Sequence, residues 1–284
     1  MKKTRASLMA EGITIARVLE ARKPDGERIC YDPYAEKLIS LLFNLLGMLF
    51  ADVDERNNPG GLGFLVARCR YMDDFLQKCI DDGIRQVVIL GAGLDSRAYR
   101  YTQLKDRVKV FEVDHPASQQ AKQKKLRKIF GKLPTYVTYI PIDFNEETLE
   151  KLFESGYNRK LKTLFIMEGL VHYLTAEAVD RTLDFVVKNC GTGSAIIFDY
   201  IYLSALEEAH PRKNLTRLRS VRKLTGEGLT FGIEEGKVEE FLRERGFHQV
   251  QNVTGEDLKR MYFTEVNQTR AVAPIHAIVH ASVR

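Results

Sequence analysis

The chain has 284 residues, of which 44% are hydrophobic and 29% are charged, and its formal net charge is +5. This is the composition of an ordinary soluble globular protein with enough apolar residues for a large core. A membrane span is excluded, because the longest apolar run (38–50) has 13 residues and contains Asn44 and Gly47, whereas a span needs roughly 18 apolar residues.

The N-terminus is basic, and no apolar core of the kind found in signal peptides follows it. The four cysteines lack the spacing of a metal site: Cys30, Cys69, Cys79 and Cys190. We therefore expect reduced structural thiols, no metal ion and a cytoplasmic location.

The first 85 residues have helical patterns broken by the turn-forming stretches KPDGERICYDPY and NNPGGLG. In FLVARCRYMDDFLQKCI an apolar stripe recurs at helical spacing. Arg68 lies at the edge of this stripe, whereas Arg70 points to the opposite face. A buried arginine needs a counter-charge, which is either a structural ion pair or an anionic group of a ligand.

From Gln86 onwards, short apolar runs alternate with helical segments. The predicted strands are 87–91, 108–114, 136–143, 163–169, 194–201, 248–253 and 274–282. This alternation predicts an α/β protein with a mostly parallel seven-stranded sheet and helices on both faces. No full helix is predicted between the last two strands, which indicates an antiparallel closing edge.

A glycine turn follows the first strand, in the order Gly91-Ala92-Gly93-Leu94-Asp95-Ser96. A dinucleotide-binding turn would have a third glycine where this chain has Ser96. Asp95 also places a negative charge where a pyrophosphate would bind. These residues argue against a phosphate ligand, although a glycine turn can also serve chain geometry alone.

Acidic side chains occur at the ends of the next strands, where ligands of such sheets bind. Glu112 and Asp114 share one side of the second strand, and Asp114 at its tip suits the two hydroxyls of a ribose. Asp143 can accept the amino group of adenine, and Phe144 offers a surface for stacking. Glu168 ends the fourth strand beside the glycine turn.

Each of these acids alone could be a helix cap, but together they predict a site for a nucleoside with positive charge. No lysine is evident around the turn. S-adenosylmethionine has this chemistry, and its carboxylate would need a cation such as Arg68.

Two basic runs, Lys122–Lys128 and Pro211–Lys223, fit solvated helix faces. The alternative is a surface that attracts an anionic partner such as RNA.

Several of these motifs resemble the leucine carboxyl methyltransferase family, and most closely its prokaryotic branch of S-adenosylmethionine-dependent O-methyltransferases. They are DPYAEKLI, ARCRYMDD, LGAGLDSRAYR, FEVDHP, PIDF and EGLVHYL, with a weaker echo in LTFGIEEGKVEEFLRERGF. The resemblance implies cofactor contacts at the turn glycines and five other positions: Gly91, Gly93, Arg68, Asp114, Asp143, Phe144 and Glu168. It also implies a contact at Arg17, although the loop that follows Arg17 varies in the family.

The resemblance further implies a class I methyltransferase (Rossmann-like) fold with strand order 3-2-1-4-5-7-6. The chain would be one domain over 1–284, with an N-terminal helical segment (1–85), a cofactor-binding core (86–201), an inserted lid (202–235) and closing strands (236–284). His172 stands where the branch usually has an aliphatic residue or Met, and we interpret it as a packing variant in preference to a substrate contact.

The predicted function is therefore S-adenosylmethionine-dependent O-methyl transfer to a small molecule, with a carboxyl group as the favoured acceptor. A carboxylate needs no general base, whereas a phenol would need one. Tyr173, His172 and Asp199 are candidates for that base, but none has an identifiable partner, so we assign no catalytic residue. The alternatives are methylation of a protein C-terminus or a modified tRNA base, an NAD-dependent dehydrogenase, and a binding module without turnover.

Overall fold

The computed structural model describes residues 5–42, 44–45, 47, 56, 59–206 and 229–284. The basic run Pro211–Lys223 and most of the predicted lid (202–235) lie outside these residues. The two ends of the lid segment meet, because the Leu203 N–H donates to the Ile233 carbonyl oxygen at 2.9 Å.

Seven strands form one sheet in the order β3-β2-β1-β4-β5-β7-β6. Their bounds are β1 Gln86–Leu90, β2 Lys109–Asp114, β3 Val137–Pro141, β4 Thr163–Met167, β5 Ala195–Ile201, β6 His248–Thr254 and β7 His276–Ser282. Strands β1 to β5 pair in parallel, and β7 is antiparallel to both β5 and β6. The predicted strands, the strand order and the antiparallel closing edge are confirmed.

Among the described residues, the helices before the sheet include α1 Arg5–Ala21, α2 Ala35–Leu38 and α3 Gly61–Asp81. Those between strands are α4 Arg97–Arg100, α5 Leu104–Arg107, α6 Pro116–Phe130, α7 Lys151–Glu154 and α8 Ala176–Lys188. The described residues after β5 include α9 Leu203–Leu206, α10 Val238–Arg243 and α11 Gly255–Tyr262, and short 3₁₀ turns lie at Val171–Tyr173 and Glu265–Asn267.

Alternate residues of the central strands pack into separate cores on the two faces of the sheet. In β1, Val87 and Ile89 pack against residues of α3, whereas Val88 and Leu90 belong to the core that contains α8. This follows from the period of two along a strand, and the continuous apolar runs reflect burial on both faces.

One expectation about the closing edge is wrong, because helix α11 lies between β6 and β7. The Thr254 hydroxyl accepts from the Asp257 N–H, and the Asp257 carboxylate accepts from the Thr254 N–H. This reciprocal capping box satisfies free N–H groups of the first turn and starts the helix directly after β6.

The interpretation of Lys122–Lys128 as a solvated helix face is also wrong in part. Lys122 is buried, and its ammonium lies 2.8 Å from the Glu112 carboxylate. Lys125 pairs with Glu11 of α1 at 2.8 Å. Helix α6 therefore directs two of its lysines to the inside of the protein.

The four cysteines are free thiols. In the part of the chain that the structure describes, no helix has the length and apolar character needed to cross a membrane.

Candidate functional site

A cavity of about 550 Å³ lies at the carboxyl ends of β1 to β4, where α1 and α3 approach the sheet. All eight residues predicted to contact a cofactor line this one cavity: Arg17, Arg68, Gly91, Gly93, Asp114, Asp143, Phe144 and Glu168. The structure thus brings together side chains from α1, from α3 and from the ends of four strands.

The glycine turn forms the floor of the cavity. Gly91 and Gly93 have positive φ angles of 66° and 40°, which L-residues with a side chain rarely adopt. A Cβ atom on Gly91 would also lie 3.0 Å from the Leu170 side chain. The turn is held against β2, because the Gly91 N–H donates to the Val113 carbonyl oxygen at 2.8 Å.

Asp114 fixes the far side of the turn. One of its carboxylate oxygens accepts from the Gly93 N–H and the other from the His115 N–H, both at 2.7 Å. Burial raises the pKa of the Asp114 carboxyl, and these two N–H groups oppose that shift. Since each carboxylate oxygen has a further lone pair, Asp114 can still accept two hydroxyl groups from a ligand.

Asp143 and Phe144 follow β3 at the neighbouring corner. Asp143 accepts from the Asn145 N–H at 3.1 Å, and its other oxygen lies 3.9 Å from His115 Nε2. Phe144 is buried at 7% exposure and still lines the cavity. The Asp143 carboxylate therefore provides a hydrogen-bond acceptor beside the aromatic ring of Phe144.

Glu168, directly after β4, is held by two arginines. It accepts from Arg97 at 2.6 Å and from Arg68 at 3.0 Å. Burial alone would raise the pKa of the Glu168 carboxyl, but Arg97, Arg68 and Arg17 outweigh it and hold that pKa well below its ordinary value. Glu168 is thus an anion at the edge of the cavity.

Arg97 is the residue that the sequence reasoning missed. It is fully buried, and it pairs with Asp73 at 2.8 Å as well as with Glu168 and Asp95. Burial alone would raise the pKa of the Asp95 carboxyl, but Arg97, Lys122 and Arg17 together lower that pKa below its ordinary value. Asp95 therefore lines the cavity as an anion, and its charge is compensated by Arg97.

Arg68 faces the sheet as its helix position predicts, and it is 3% exposed. Its two terminal nitrogens donate to Asp199 at 2.6 Å and to Glu168 at 3.0 Å, so a structural ion pair is present. Its buried Nε has no hydrogen-bond partner within the part of the chain that the structure describes. A guanidinium has donors beyond those that the two acids use, so Arg68 can still receive an anionic group.

Arg17 approaches the same cavity from α1. It donates to the Leu94 carbonyl oxygen and to the Thr14 hydroxyl, both at 3.0 Å, and lies 3.3 Å from Asp32. Its Nε is also buried without a partner. Both arginines therefore line the cavity and have a buried Nε with no hydrogen-bond partner among the described residues.

Glu112 and Lys122 depart from the predicted arrangement of charges. Glu112 does not line the cavity, because it pairs with Lys122 and accepts from the Tyr99 hydroxyl at 2.7 Å. Lys122 also donates to the Ala92 carbonyl oxygen at 3.3 Å, so a lysine does support the glycine turn. Its ammonium is directed to protein acceptors.

The three candidates for a general base differ in position. Asp199 is fully buried and bound to Arg68, and it accepts from the Gly169 N–H at 2.6 Å. His172 does not line the cavity, and burial lowers its pKa to about 4, which supports its interpretation as a packing residue. Tyr173 lines the cavity.

Across the described ranges, no group of three or more His, Cys, Asp and Glu side chains could hold a metal ion.

The family model for leucine carboxyl methyltransferase matches residues 10–187. A curated relative from Mycobacterium sp. (strain JLS), "Putative S-adenosyl-L-methionine-dependent methyltransferase", is 31% identical over 83% of this chain and 82% of its own length. The "Putative S-adenosyl-L-methionine-dependent methyltransferase YktD" of Bacillus subtilis (strain 168) is 26% identical over 76% of this chain and 71% of its own.

Two solved structures share the fold. The first, "a putative methyltransferase" from Thermobifida fusca, has a TM-score of 0.62 at 14% identity and covers 97% of this chain and 94% of its own. The second, a DUF574 family protein from Streptomyces avermitilis, has a TM-score of 0.61 at 11% identity and covers 95% and 97%. At these identities the likeness concerns the fold alone.

Proposed function

Because the chain belongs to the leucine carboxyl methyltransferase family and is an S-adenosylmethionine-dependent methyltransferase, we propose that it methylates a carboxylate oxygen of a small molecule. Membership of this family sets aside the dehydrogenase and the binding module without turnover.

The cavity fits the cofactor group by group. Asp114 would accept the two ribose hydroxyls, and Asp143 with Phe144 would bind the adenine. Glu168, an anion that lines the cavity, would face the ammonium group. Arg17 and Arg68, which both line the cavity, would bind the carboxylate of the cofactor.

One observation supports a carboxylate acceptor above a phenol or an alcohol. The carboxyl groups that line the cavity all accept hydrogen bonds already, from arginines or from backbone N–H groups: Asp95, Asp114, Asp143 and Glu168. Side chains engaged in this way are weak bases for a hydroxyl of pKa about 10. An acceptor that is ionised at neutral pH needs none of them.

The chemistry then balances without a proton transfer. When bound, S-adenosylmethionine supplies a methyl group activated by its sulfonium. An acceptor oxygen forms the new O–C bond as the C–S bond breaks, and that electron pair goes to sulfur. The products are a methyl ester and neutral S-adenosylhomocysteine. The protein contributes alignment of the two reactants and exclusion of water.

The test is transfer of labelled methyl from S-adenosylmethionine to panels of carboxylic acids, phenols and alcohols. A methyl ester releases its label as volatile methanol in mild alkali, whereas a methyl ether keeps it. We expect alkali-labile label, and a kcat/KM that stays flat above pH 6 because the acceptor is already ionised.

Alkali-stable label, or a rate that rises toward the pKa of a phenol, would contradict the proposal. Label that appears only in added protein or tRNA would assign the enzyme to a macromolecule instead. Asp114→Ala is the control that should lose transfer to every acceptor.

A further inference from the structure

Part of the cavity lies outside the groups assigned to the cofactor. It is formed by six residues from the N-terminal helix, the segment after β4 and the end of the lid segment, which we call the apolar wall: Ala10, Ile13, Thr14, Leu170, Leu174 and Thr230. None of the six carries a charge, and the aromatic Tyr173 lines the cavity beside Leu174.

The hydroxyl groups of the two threonines of the apolar wall donate hydrogen bonds to backbone carbonyl oxygens. Thr230 Oγ1 donates to the Leu174 carbonyl oxygen at 2.6 Å, and Thr14 Oγ1 donates to the Ala10 carbonyl oxygen at 2.7 Å. The Thr14 oxygen also accepts from Arg17 at 3.0 Å. Neither threonine therefore has a proton left to donate to a ligand, although both have methyl groups.

Two residues of the apolar wall, both on helix α1, lie next to glycines of the cofactor site. A Cβ atom added to Gly169 would lie 3.8 Å from Ile13 Cδ1 and 3.6 Å from Arg68 Nη1. A Cβ atom added to Gly93 would lie 3.7 Å from the Ala10 side chain. Helix α1 thus brings aliphatic side chains against the glycine turn and against the loop that carries Glu168.

We propose that the acceptor is an apolar monocarboxylic acid, uncharged apart from the carboxylate that receives the methyl group. This rests on the proposed function and deepens it. Among the described residues, the apolar wall offers only uncharged side chains to a second charge on the acceptor, so that charge would lose its hydration there without gaining an ionic partner. Each methylene that reaches the apolar wall should instead strengthen binding about twofold to fourfold.

The experiment measures kcat/KM for linear monocarboxylic acids from butanoate to octanoate, and for the dicarboxylic acids of matching length. Calorimetry on the complex with S-adenosylhomocysteine gives acid affinity without turnover. We expect kcat/KM and affinity to rise with chain length for the monocarboxylates. For each dicarboxylate, both values should be at least tenfold lower than for the monocarboxylate of the same length.

Ile13→Ala tests the apolar wall itself. It should lower kcat/KM about tenfold for octanoate and far less for butanoate, because the short acid does not reach the missing carbons. Affinity for S-adenosylhomocysteine should stay within about twofold. Val266, which is 65% exposed, supplies the control Val266→Ala, and no effect is expected there.

Methyl esters formed preferentially on dicarboxylates, or equal losses for both acids in Ile13→Ala, would overturn the inference and leave the proposed function intact. Alkali-stable products would instead overturn the proposed function. Absence of both turnover and binding for every acid of the series would overturn the inference as well.

Discussion

Arg68 has two roles in this interpretation, and one pair of changes separates them. In the structure it neutralises the buried carboxylates of Asp199 and Glu168. In the proposed complex a guanidinium N–H that these acids do not use also donates to the carboxylate of S-adenosylmethionine. The perturbations are Arg68→Lys in the protein and removal of the carboxylate from the ligand, as in decarboxylated S-adenosylmethionine.

The magnitudes follow from the contacts. Hydrogen bonds to a charged group contribute about 1.5–3 kcal/mol each, so the wild type should bind the decarboxylated ligand roughly tenfold to a hundredfold more weakly. Lysine keeps the positive charge but lacks the planar guanidinium donors. Because Asp199 and Glu168 keep a counter-charge, the free energy of unfolding should fall by less than the ~3–5 kcal/mol typical of a broken buried pair.

The assay is calorimetry of both proteins with both ligands, with urea unfolding to monitor stability. The affinity of Arg68→Lys should fall by less than about threefold when the carboxylate is removed from the ligand. Arg70→Lys is the matched control, since Arg70 lies on the same helix with a side chain 47% exposed, and it should behave as the wild type. Equal losses in wild type and Arg68→Lys would mean no coupling, and Arg68 would then be a structural residue only.

Three further predictions concern single positions. Asp114→Ala should weaken cofactor binding by about 1.5–3 kcal/mol per charged hydrogen bond lost; an unchanged Kd with a lowered Tm would make Asp114 purely structural. Since the pKa of Glu168 is below its ordinary 4.5 when folded, it stabilises the protein above about pH 4.5 and loses this effect as the pH falls. Urea unfolding of Glu168→Gln should show a weaker decline in acid, and a parallel profile would contradict this. Gly91→Ala should destabilise more than Gly83→Ala in the same unfolding assay. Both have positive φ, but only the first meets a neighbour, Leu170, at 3.0 Å; equal losses would show that the contact relaxes without cost.

The strands and the residues at their ends could be predicted from the sequence because both signals are local. An apolar run marks a buried strand, and the carboxyl ends of parallel strands meet at one edge of the sheet. Asp114, Asp143 and Glu168 therefore line one cavity as expected. The helix after β6 also had a local signal, in the spacing of Thr254 and Asp257, which the strand pattern obscured.

The charge balance beneath the cavity could not be predicted, because it depends on contacts between distant parts of the chain. Arg97 meets Asp73 of α3 and Glu168 after β4, which are separated from it by 24 and 71 positions. Lys122 lies in a run that is typical of a solvated helix, and only the packing of α6 buries it against Glu112. Whether such a charged side chain is solvated or forms a buried ion pair depends on tertiary packing, which the local sequence pattern does not show.

The structure also changes the reason for which this glycine turn is unsuited to a dinucleotide. Asp95 does not repel a pyrophosphate strongly, since Arg97 compensates its charge. A pyrophosphate is normally bound at the N-terminus of a long helix, where aligned peptide dipoles and free N–H groups meet it. Here the turn leads into α4, a helix of 4 residues. So short a helix has a weak dipole, and its side chains serve the buried ion pairs. The turn therefore lacks the long helix N-terminus at which a pyrophosphate is normally bound.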